Sequence, residues 1–249
     1  MARHPPGKGN GMRLLLFLIA LIVVVVIADA LISREAEDRG AQALRDELTA
    51  RTGEQPDRVQ VELKGWLAGV RLLAGPSPDA IATVRGLELR ETAGSLTRLH
   101  LSLDEVHADA GELLGGAPED QLPFTARSGT FRAVLDEDDL NQVIGPSQLF
   151  ERLEVAAGGI SAIPPSTSAV SEPVPLTTEL GRGAAGGDVL VLRQEQTGAN
   201  APLPAGSTLT IPFVLPDALD LQQIQTRSDR LIGTGEVDVE ALAAGSGSS

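Results

Sequence analysis

The chain has 249 residues, a formal net charge of −14 and no cysteine. The acidic balance argues against nucleic-acid binding, because contacts to phosphates dominate that affinity. The lack of cysteine excludes disulfides, thiolate zinc sites, a cysteine nucleophile and an acylated-cysteine anchor. Hydrophobic residues make up 42% of the chain but aromatic residues only 2%, so the core must be largely aliphatic. Such a core either leaves room for an acyl chain or reflects coding bias, and composition favours neither.

An apolar segment near the N-terminus predicts export. Residues 14–28 are uninterrupted apolar residues after a basic flank, and the segment reaches Ile32 if Asp29 is tolerated at a membrane interface. That length can cross about 30 Å of hydrocarbon, and the basic flank places the N-terminus in the cytoplasm. Ala28-Asp29-Ala30 also fits a signal-peptidase site, but the long, β-branched segment favours a retained anchor.

This prediction divides the chain into four parts. We expect a basic cytoplasmic tail at 1–12, a transmembrane signal-anchor at 13–32, an extracytoplasmic domain at 33–243 and a flexible tail at 244–249. The protein would then be a single-pass protein of the cell membrane.

An amphipathic helix is predicted directly after the anchor. Ser33 is a suitable N-cap with acidic residues in the turns that follow, and Gly53 is a suitable stop. Mostly small apolar residues recur along one face at i+4 spacing: Ile32, Ala36, Gly40, Leu44 and Leu48. Such a face permits close packing on a sheet or leaves a groove beside the helix.

The rest of the chain is predicted to be rich in β-strands. Alternation of apolar and polar residues gives candidate strands at 58–63, 80–90, 99–103, 124–135, 152–157, 173–179, 188–196, 207–215, 220–227 and 231–239. A short helix is expected after Asp136, ending at Gly145-Pro146. The Pro/Ser/Ala-rich segments 159–172 and 198–206 are predicted to be loops.

The segment GWLAGVRLLAG, residues 65–75, stands out because it is apolar yet lies between turn residues. Its apolar side chains either rim a lipid pocket or touch a bilayer, since tryptophan favours membrane interfaces. They are Trp66, Leu67, Val70, Leu72 and Leu73. The alternative, slightly favoured, is a loop tucked into the core.

The layout resembles the LmeA-like phospholipid-binding proteins of actinobacterial envelopes. The resemblance is carried by VQVELKGWLAG, AIATVRGLEL, LTRLHLSLDEV, GTFRAVLDEDDLNQVIG and IPFVLPDALDLQQIQTRSDRLIGTGEVDVEAL. It implies an α+β, β-rich, tubular lipid-binding-like fold, in which a curved antiparallel sheet wraps a long amphipathic helix. It also implies phospholipid binding, a role in envelope lipid or glycolipid maintenance, no cofactor and no catalytic residues to transfer. Family members often have Pro-Phe where this chain has Gly65-Trp66.

Other motifs have simpler explanations. GRGAAGGD matches G-x-G-x-x-G, but a strand pattern follows where a dinucleotide site needs a helix, so Gly181, Gly183 and Gly186 predict a hairpin turn. DEDDLNQVIG lacks the register of a calcium loop and fits charges at a helix N-terminus. Glu105, His107 and Asp109 would make only a weak metal site and are better explained as a solvated strand end.

We therefore predict a membrane-anchored, non-enzymatic domain that binds phospholipid, with the cytoplasmic membrane and the lipid as partners and with no metal and no nucleic acid. The residues expected to contact acyl chains are Leu44, Leu48, Trp66, Leu67, Val70, Leu72 and Leu73. Arg85 and Arg90 are headgroup candidates because guanidinium groups pair with phosphates, although outward-facing arginines are common on strands. The alternatives are a structural or interaction module of the envelope and an envelope hydrolase.

Overall fold

The computed structural model describes residues 9–74, 77–88, 95–108, 124–144, 150–166, 172–182, 188–194, 208–212, 215 and 218–243. The helices are α1 (Gly9–Thr52), α2 (Ala68–Ala74), α3 (Glu137–Ile144) and α4 (Val239–Ala243). The strands are β1 (Arg58–Lys64), β2 (Asp79–Glu88), β3 (Ser95–Asp104), β4 (His107–Ala108), β5 (Phe124–Thr125), β6 (Ser128–Asp136), β7 (Arg152–Ala156), β8 (Gly159–Ile163), β9 (Val174–Arg182), β10 (Asp188–Gln194), β11 (Thr208–Pro212), β12 (Leu219–Arg227) and β13 (Arg230–Val237). The α+β, β-rich prediction is confirmed.

Helix α1 is a single rod of 44 residues, about 66 Å long at 1.5 Å per residue. The prediction of a new helix capped by Ser33 is wrong, because the helix passes through Ser33 without a break. No proline or glycine between Ile19 and Arg39 interrupts the hydrogen-bond ladder. The C-terminal half is amphipathic, with Ala36, Gly40, Leu44 and Leu48 buried.

The predicted signal-anchor lies in the N-terminal half of α1, where side chains before Ile19 are outside the described set. Among the described residues, no helix combines the length and the apolar character needed to cross a bilayer. The predicted cytoplasmic tail at 1–12 lies largely outside the described residues, and the predicted flexible tail at 244–249 lies wholly outside them.

The larger sheet has six strands in the order β1-β2-β3-β6-β13-β12, and every neighbouring pair is antiparallel. Strands β1 to β3 form a meander, and α1 packs along the edge strand β1. Strand β6 pairs with β13 from Thr130↔Glu236 to Asp136↔Arg230. The chain therefore returns to this sheet near its C-terminus.

The second sheet has the order β11-β10-β9-β8-β7 and is also antiparallel. Along the sequence, its five strands come after β6 and before β12 of the first sheet. The described residues thus form two large antiparallel sheets where one was expected, and β4 and β5 pair in a separate two-stranded sheet. Strand β8 lies in the segment 159–172 that was predicted to be a loop. Its residues are mostly small, but Gly159 turns the chain so that β8 pairs with β7.

Helix α3 joins the two sheets by hydrogen-bonding to the edge strand β7. The Asn141 side chain accepts from Leu153 N at 2.7 Å and donates to Leu153 O at 2.9 Å. The Glu137 carboxylate accepts from Val155 N at 2.7 Å. The two side chains are four residues apart on one helix face. They therefore bind backbone groups of the edge strand β7 that have no neighbouring strand to pair with.

The core is aliphatic, as the composition predicted. Buried side chains from α1, both sheets and α3 form one cluster. Among the described core residues only Phe131 and Phe150 are aromatic. The least exposed members are Val84, Leu96, Leu140, Leu153, Leu190 and Ala218. Burial of such leucine and valine side chains contributes about 1.5–3 kcal/mol each to folding.

Candidate lipid and membrane site

The candidate site begins where β1 returns along α1. Helix α1 ends at Gly53, whose φ of +81° lets Gly53 N donate to Thr49 O at 2.8 Å. Strand β1 then runs antiparallel to the helix. Near its end, Leu63 N donates to the Glu37 carboxylate at 2.9 Å. This bond fixes the position of the end of β1 along the axis of α1.

Helix α2 packs across α1 beyond that point, in a segment that was predicted to be a loop. Val70 N donates to Asp29 Oδ1 at 3.0 Å, so Asp29 caps the first turn of α2. Gly69 permits the contact, because a Cβ at this position would lie 2.7 Å from Ser33 N and 2.8 Å from Asp29 O. Asp29 therefore has a defined structural partner in α2.

The turn between β1 and α2 presents Trp66 to the outside. Gly65 has a φ of +104° and Leu67 a φ of +53°. A positive φ is costly for leucine and indicates a conformation imposed by its surroundings. Arg71 N donates to Leu67 O at 2.8 Å, and Arg71 Nη2 donates to Ser77 O at 3.0 Å. Held in this way, Trp66 is 78% exposed.

The N-terminal half of α1 carries a second exposed apolar surface next to this turn. Eight of its large side chains are between 47% and 64% exposed. They are Ile19, Leu21, Ile22, Val23, Val24, Val26, Ile27 and Leu31. The surface ends at Leu31, close to the contact between Asp29 and α2.

The other predicted lipid-contact residues are divided between core and surface. Leu44, Leu48 and Leu72 are buried in the core cluster, while Leu67 and Val70 are half-buried. The side chain of Leu73 lies outside the described residues. Contact of any of these residues with lipid stays a prediction.

Arg85 lies away from this turn, on the outer face of the larger sheet. In the register of β1, β2 and β3 it stands directly between Arg58 and Arg98, and all three side chains are exposed. Like charges directly opposite one another weaken strand pairing. The row lies at the far end of β1 from Lys64, about 20 Å away at 3.3 Å per residue. Arg90 lies outside the described residues.

A cavity of about 400 Å³ lies at the seam between the two sheets. It is lined by β12 from one side and by β8, β9 and the β7–β8 turn from the other. The lining residues are Gly158, Gly159, Pro175, Leu176, Thr177, Thr178, Ile224 and Thr226. Strand β12 is the opposite edge of the sheet from β1, so the cavity is distant from the α1 face where the sequence suggested a groove.

The described residues of the candidate metal site and the glycine motif identified in the sequence lie in or beside strands. Glu105 has a φ of +50° and pairs with Arg127 at 2.7 Å, and His107 Nδ1 lies 2.9 Å from Glu105 O. Asp109 lies outside the described residues, among which no group of three metal-binding side chains is found. Gly181 lies within strand β9, opposite Val189, rather than in a turn, and β9 and β10 are antiparallel neighbours. Gly183 and Gly186 lie outside the described residues.

One charged cluster occurs at the tip of the β12–β13 hairpin. Asp229 N donates to Val155 O, and Asp229 O accepts from Glu137 N, both at 2.9 Å. The Asp229 carboxylate accepts from Arg230 Nε at 3.0 Å, and this hydrogen bond raises the pKa of Arg230 above its ordinary value. The arginine stays charged at any physiological pH, so this tip joins the sheets without acting as a pH switch.

Comparison with known proteins identifies one family. The family model described as LmeA-like phospholipid-binding matches residues 27–236. No curated protein and no solved structure matches the chain. The match begins within the N-terminal half of α1, two residues before Asp29.

Proposed function

The chain belongs to the LmeA-like phospholipid-binding family, and on this premise we propose that it is a membrane-anchored, extracytoplasmic phospholipid-binding protein. Helix α1 tethers the domain to the cytoplasmic membrane, and the domain holds acyl chains in its aliphatic interior. Its role is the maintenance of envelope lipids or glycolipids. The observation that carries the proposal is the family match over residues 27–236.

The exposed surface of α1 supports the anchoring part of the proposal. Eight large aliphatic side chains between Ile19 and Leu31 are about half exposed. Leaving such a side chain in water costs about 1 kcal/mol or more. A helix with this surface is stable in a bilayer and prone to association in water. The basic flank of Arg3, Lys8 and Arg13 favours a cytoplasmic N-terminus.

The aliphatic interior supports the lipid-binding part. Acyl methylenes gain about 0.8 kcal/mol each on leaving water, so a sixteen-carbon chain gains on the order of 10 kcal/mol before ordering costs. The seam cavity at Leu176 and Ile224 offers space for such a chain. The α1 face around Ala36 and Leu48, where the sequence suggested a groove, is buried in the core, so it would have to open to admit one.

The test is the lipid content of the full-length protein. Native mass spectrometry after exchange into a lipid-free detergent is expected to show stoichiometric phospholipid. Labelled phospholipid is also expected to move from donor vesicles to the protein. A protein that carries no lipid and accepts none would refute the proposal and leave a structural or interaction module of the envelope.

Two matched variants determine where the bound acyl chain lies within the fold. Ala36→Leu enlarges a buried side chain on the α1 face, and Thr226→Phe fills the seam cavity between the sheets. If the acyl chain lies against α1, Ala36→Leu lowers the bound lipid while Thr226→Phe does not. The reverse result places the acyl chain between the sheets. Circular dichroism of both variants checks that the fold is retained.

No catalytic role is part of the proposal, since the family description names binding and no reaction. A screen of ester and glycosidic substrates, repeated with His100→Ala and His107→Ala, tests the hydrolase alternative. Activity that disappears in either variant would favour an enzyme. His100 Nδ1 lies 3.2 Å from Thr83 Oγ1 on the neighbouring strand, a contact that the substitution also removes.

A further inference from the structure

We propose that the turn Gly65-Trp66-Leu67 is a second membrane contact, in which Trp66 inserts into the interface of the bilayer that α1 enters. The proposal rests on the anchoring function proposed above. It adds a specific residue and a fixed orientation of the domain on the lipid surface.

The first argument is the exposure of Trp66 in a strained turn. A tryptophan that is 78% exposed places a large apolar ring in water. The two flanking residues both have positive φ, and one of them is leucine. Such strain persists only where the surrounding structure enforces it, and it is concentrated at functional positions. Here the strain holds the indole away from the core.

The second argument is the position of this turn along the axis of α1. Leu63, three residues before Trp66, bonds to Glu37, and Val70, four residues after it, bonds to Asp29. These two points on α1 are about 12 Å apart along the axis. The tryptophan is therefore bracketed by residues 29–37 of α1, which overlap the end of the exposed apolar surface at Leu31.

The third argument is the match between this position and a bilayer interface. The headgroup region adds about 5–8 Å on each side of the hydrocarbon. If the hydrocarbon ends near Leu31, the last large exposed apolar residue of α1, Trp66 falls within that region. Tryptophan is enriched at this depth because its ring is amphipathic. The occupant of the surface is thus a phospholipid bilayer.

The consequence is a domain held by two points. One helix alone leaves the domain free to tilt and rotate, whereas a second contact at Trp66 fixes which edge faces the lipid. That edge contains α2 and the end of β1 at Lys64. The arginine row and α3 lie at the opposite end of the strands and are then directed away from the membrane.

The sole tryptophan makes the test direct. The chain has one tryptophan and no tyrosine, so emission excited at the red edge reports on Trp66 alone. The full chain is reconstituted in phosphatidylcholine vesicles that contain lipids brominated at different acyl depths. Lipids brominated near the headgroup are expected to cause about a twofold loss of emission, as for interfacial tryptophans, and iodide is expected to quench weakly.

The control moves the reporter to the other end of the domain. The variant with Trp66→Ser and Gln142→Trp carries its tryptophan on an exposed position of α3, which follows the far end of β6. Its emission should be open to iodide and unaffected by brominated lipid. If wild type and control are quenched alike by iodide and neither by brominated lipid, the proposed contact is refuted.

Failure of this contact and failure of lipid binding are distinguishable. Bound lipid is measured by mass spectrometry on the same preparations. Trp66→Ser with unchanged bound lipid, together with bromolipid quenching of the wild type, supports a docking residue outside the lipid cavity. Loss of bound lipid in Trp66→Ser without bromolipid quenching of the wild type would instead place Trp66 in the cavity and overturn the docking proposal.

Discussion

Substitution of Asn141 by alanine tests the hydrogen bonds that join α3 to the second sheet. The side chain makes three contacts, to Leu153 N at 2.7 Å and to Leu153 O and Glu137 O at 2.9 Å. Leu153 is fully buried, so the variant leaves one donor and one acceptor of β7 without their partner. Each such group costs about 1–3 kcal/mol when buried. Water reaching the half-buried Asn141 position offsets part of this, and we expect a loss of about 2–4 kcal/mol in the free energy of unfolding.

The measurement is urea unfolding of the full chain in detergent, followed by far-ultraviolet circular dichroism. Gln142→Ala is the matched control, since Gln142 is exposed on the same helix and should change stability by no more than about 0.5 kcal/mol. Hydrogen exchange at the Leu153 amide should accelerate only in the Asn141 variant. If both variants unfold at the same urea concentration, the side-chain pairing of β7 contributes nothing and the reasoning is wrong.

Three further predictions concern the α1–α2 contact, the anchor and the arginine row. Gly69→Ala should destabilise by about 1–3 kcal/mol, because the new Cβ meets backbone atoms of α1; Gly158→Ala, which meets nothing within 4 Å, is the control in the same unfolding assay. The mass of protein extracted from membranes should include residues 1–28, since Asp29 is bound to α2; a chain starting at Leu31 would contradict a retained anchor. Arg98→Gln should raise the free energy of unfolding by about 0.2–1 kcal/mol at low salt, because it relieves repulsion from Arg85. The gain should vanish at 1 M salt, where the screening length is about 3 Å. A gain that does not depend on salt would show that repulsion is not the cause.

Periodic patterns predicted the elements whose shape is decided locally. The i+4 spacing of Leu44 and Leu48 predicted the buried face of α1, and alternation predicted most strands to within a few residues. The aliphatic core followed from composition alone. Helix α3 was recognised from its acidic first turn and its Gly145-Pro146 stop.

The sequence could not predict features that depend on a distant partner. Asp29 was interpreted as a membrane-edge residue or part of a cleavage site, because its partner Val70 is 41 residues away. Glu137 was explained by the helix dipole, although its carboxylate binds a strand amide. Strand β8 was not predicted because its small residues give a weak alternation of apolar and polar side chains, and its pairing with β7 cannot be read from the sequence. In each case the deciding interaction is tertiary, and no local signal marks it.

The pairing of β6 with β13 bears on how the protein is made. Asp136 and Arg230 are partners in the register, yet the whole second sheet is synthesised between them. Contacts of such long range slow folding because a large loop must close before they form. A chain synthesised from its N-terminus keeps the edge of β6 uncovered until its last strands arrive. Early translation stops should therefore yield aggregation-prone chains, and a stop before Leu219 should leave β6 without its outer neighbour.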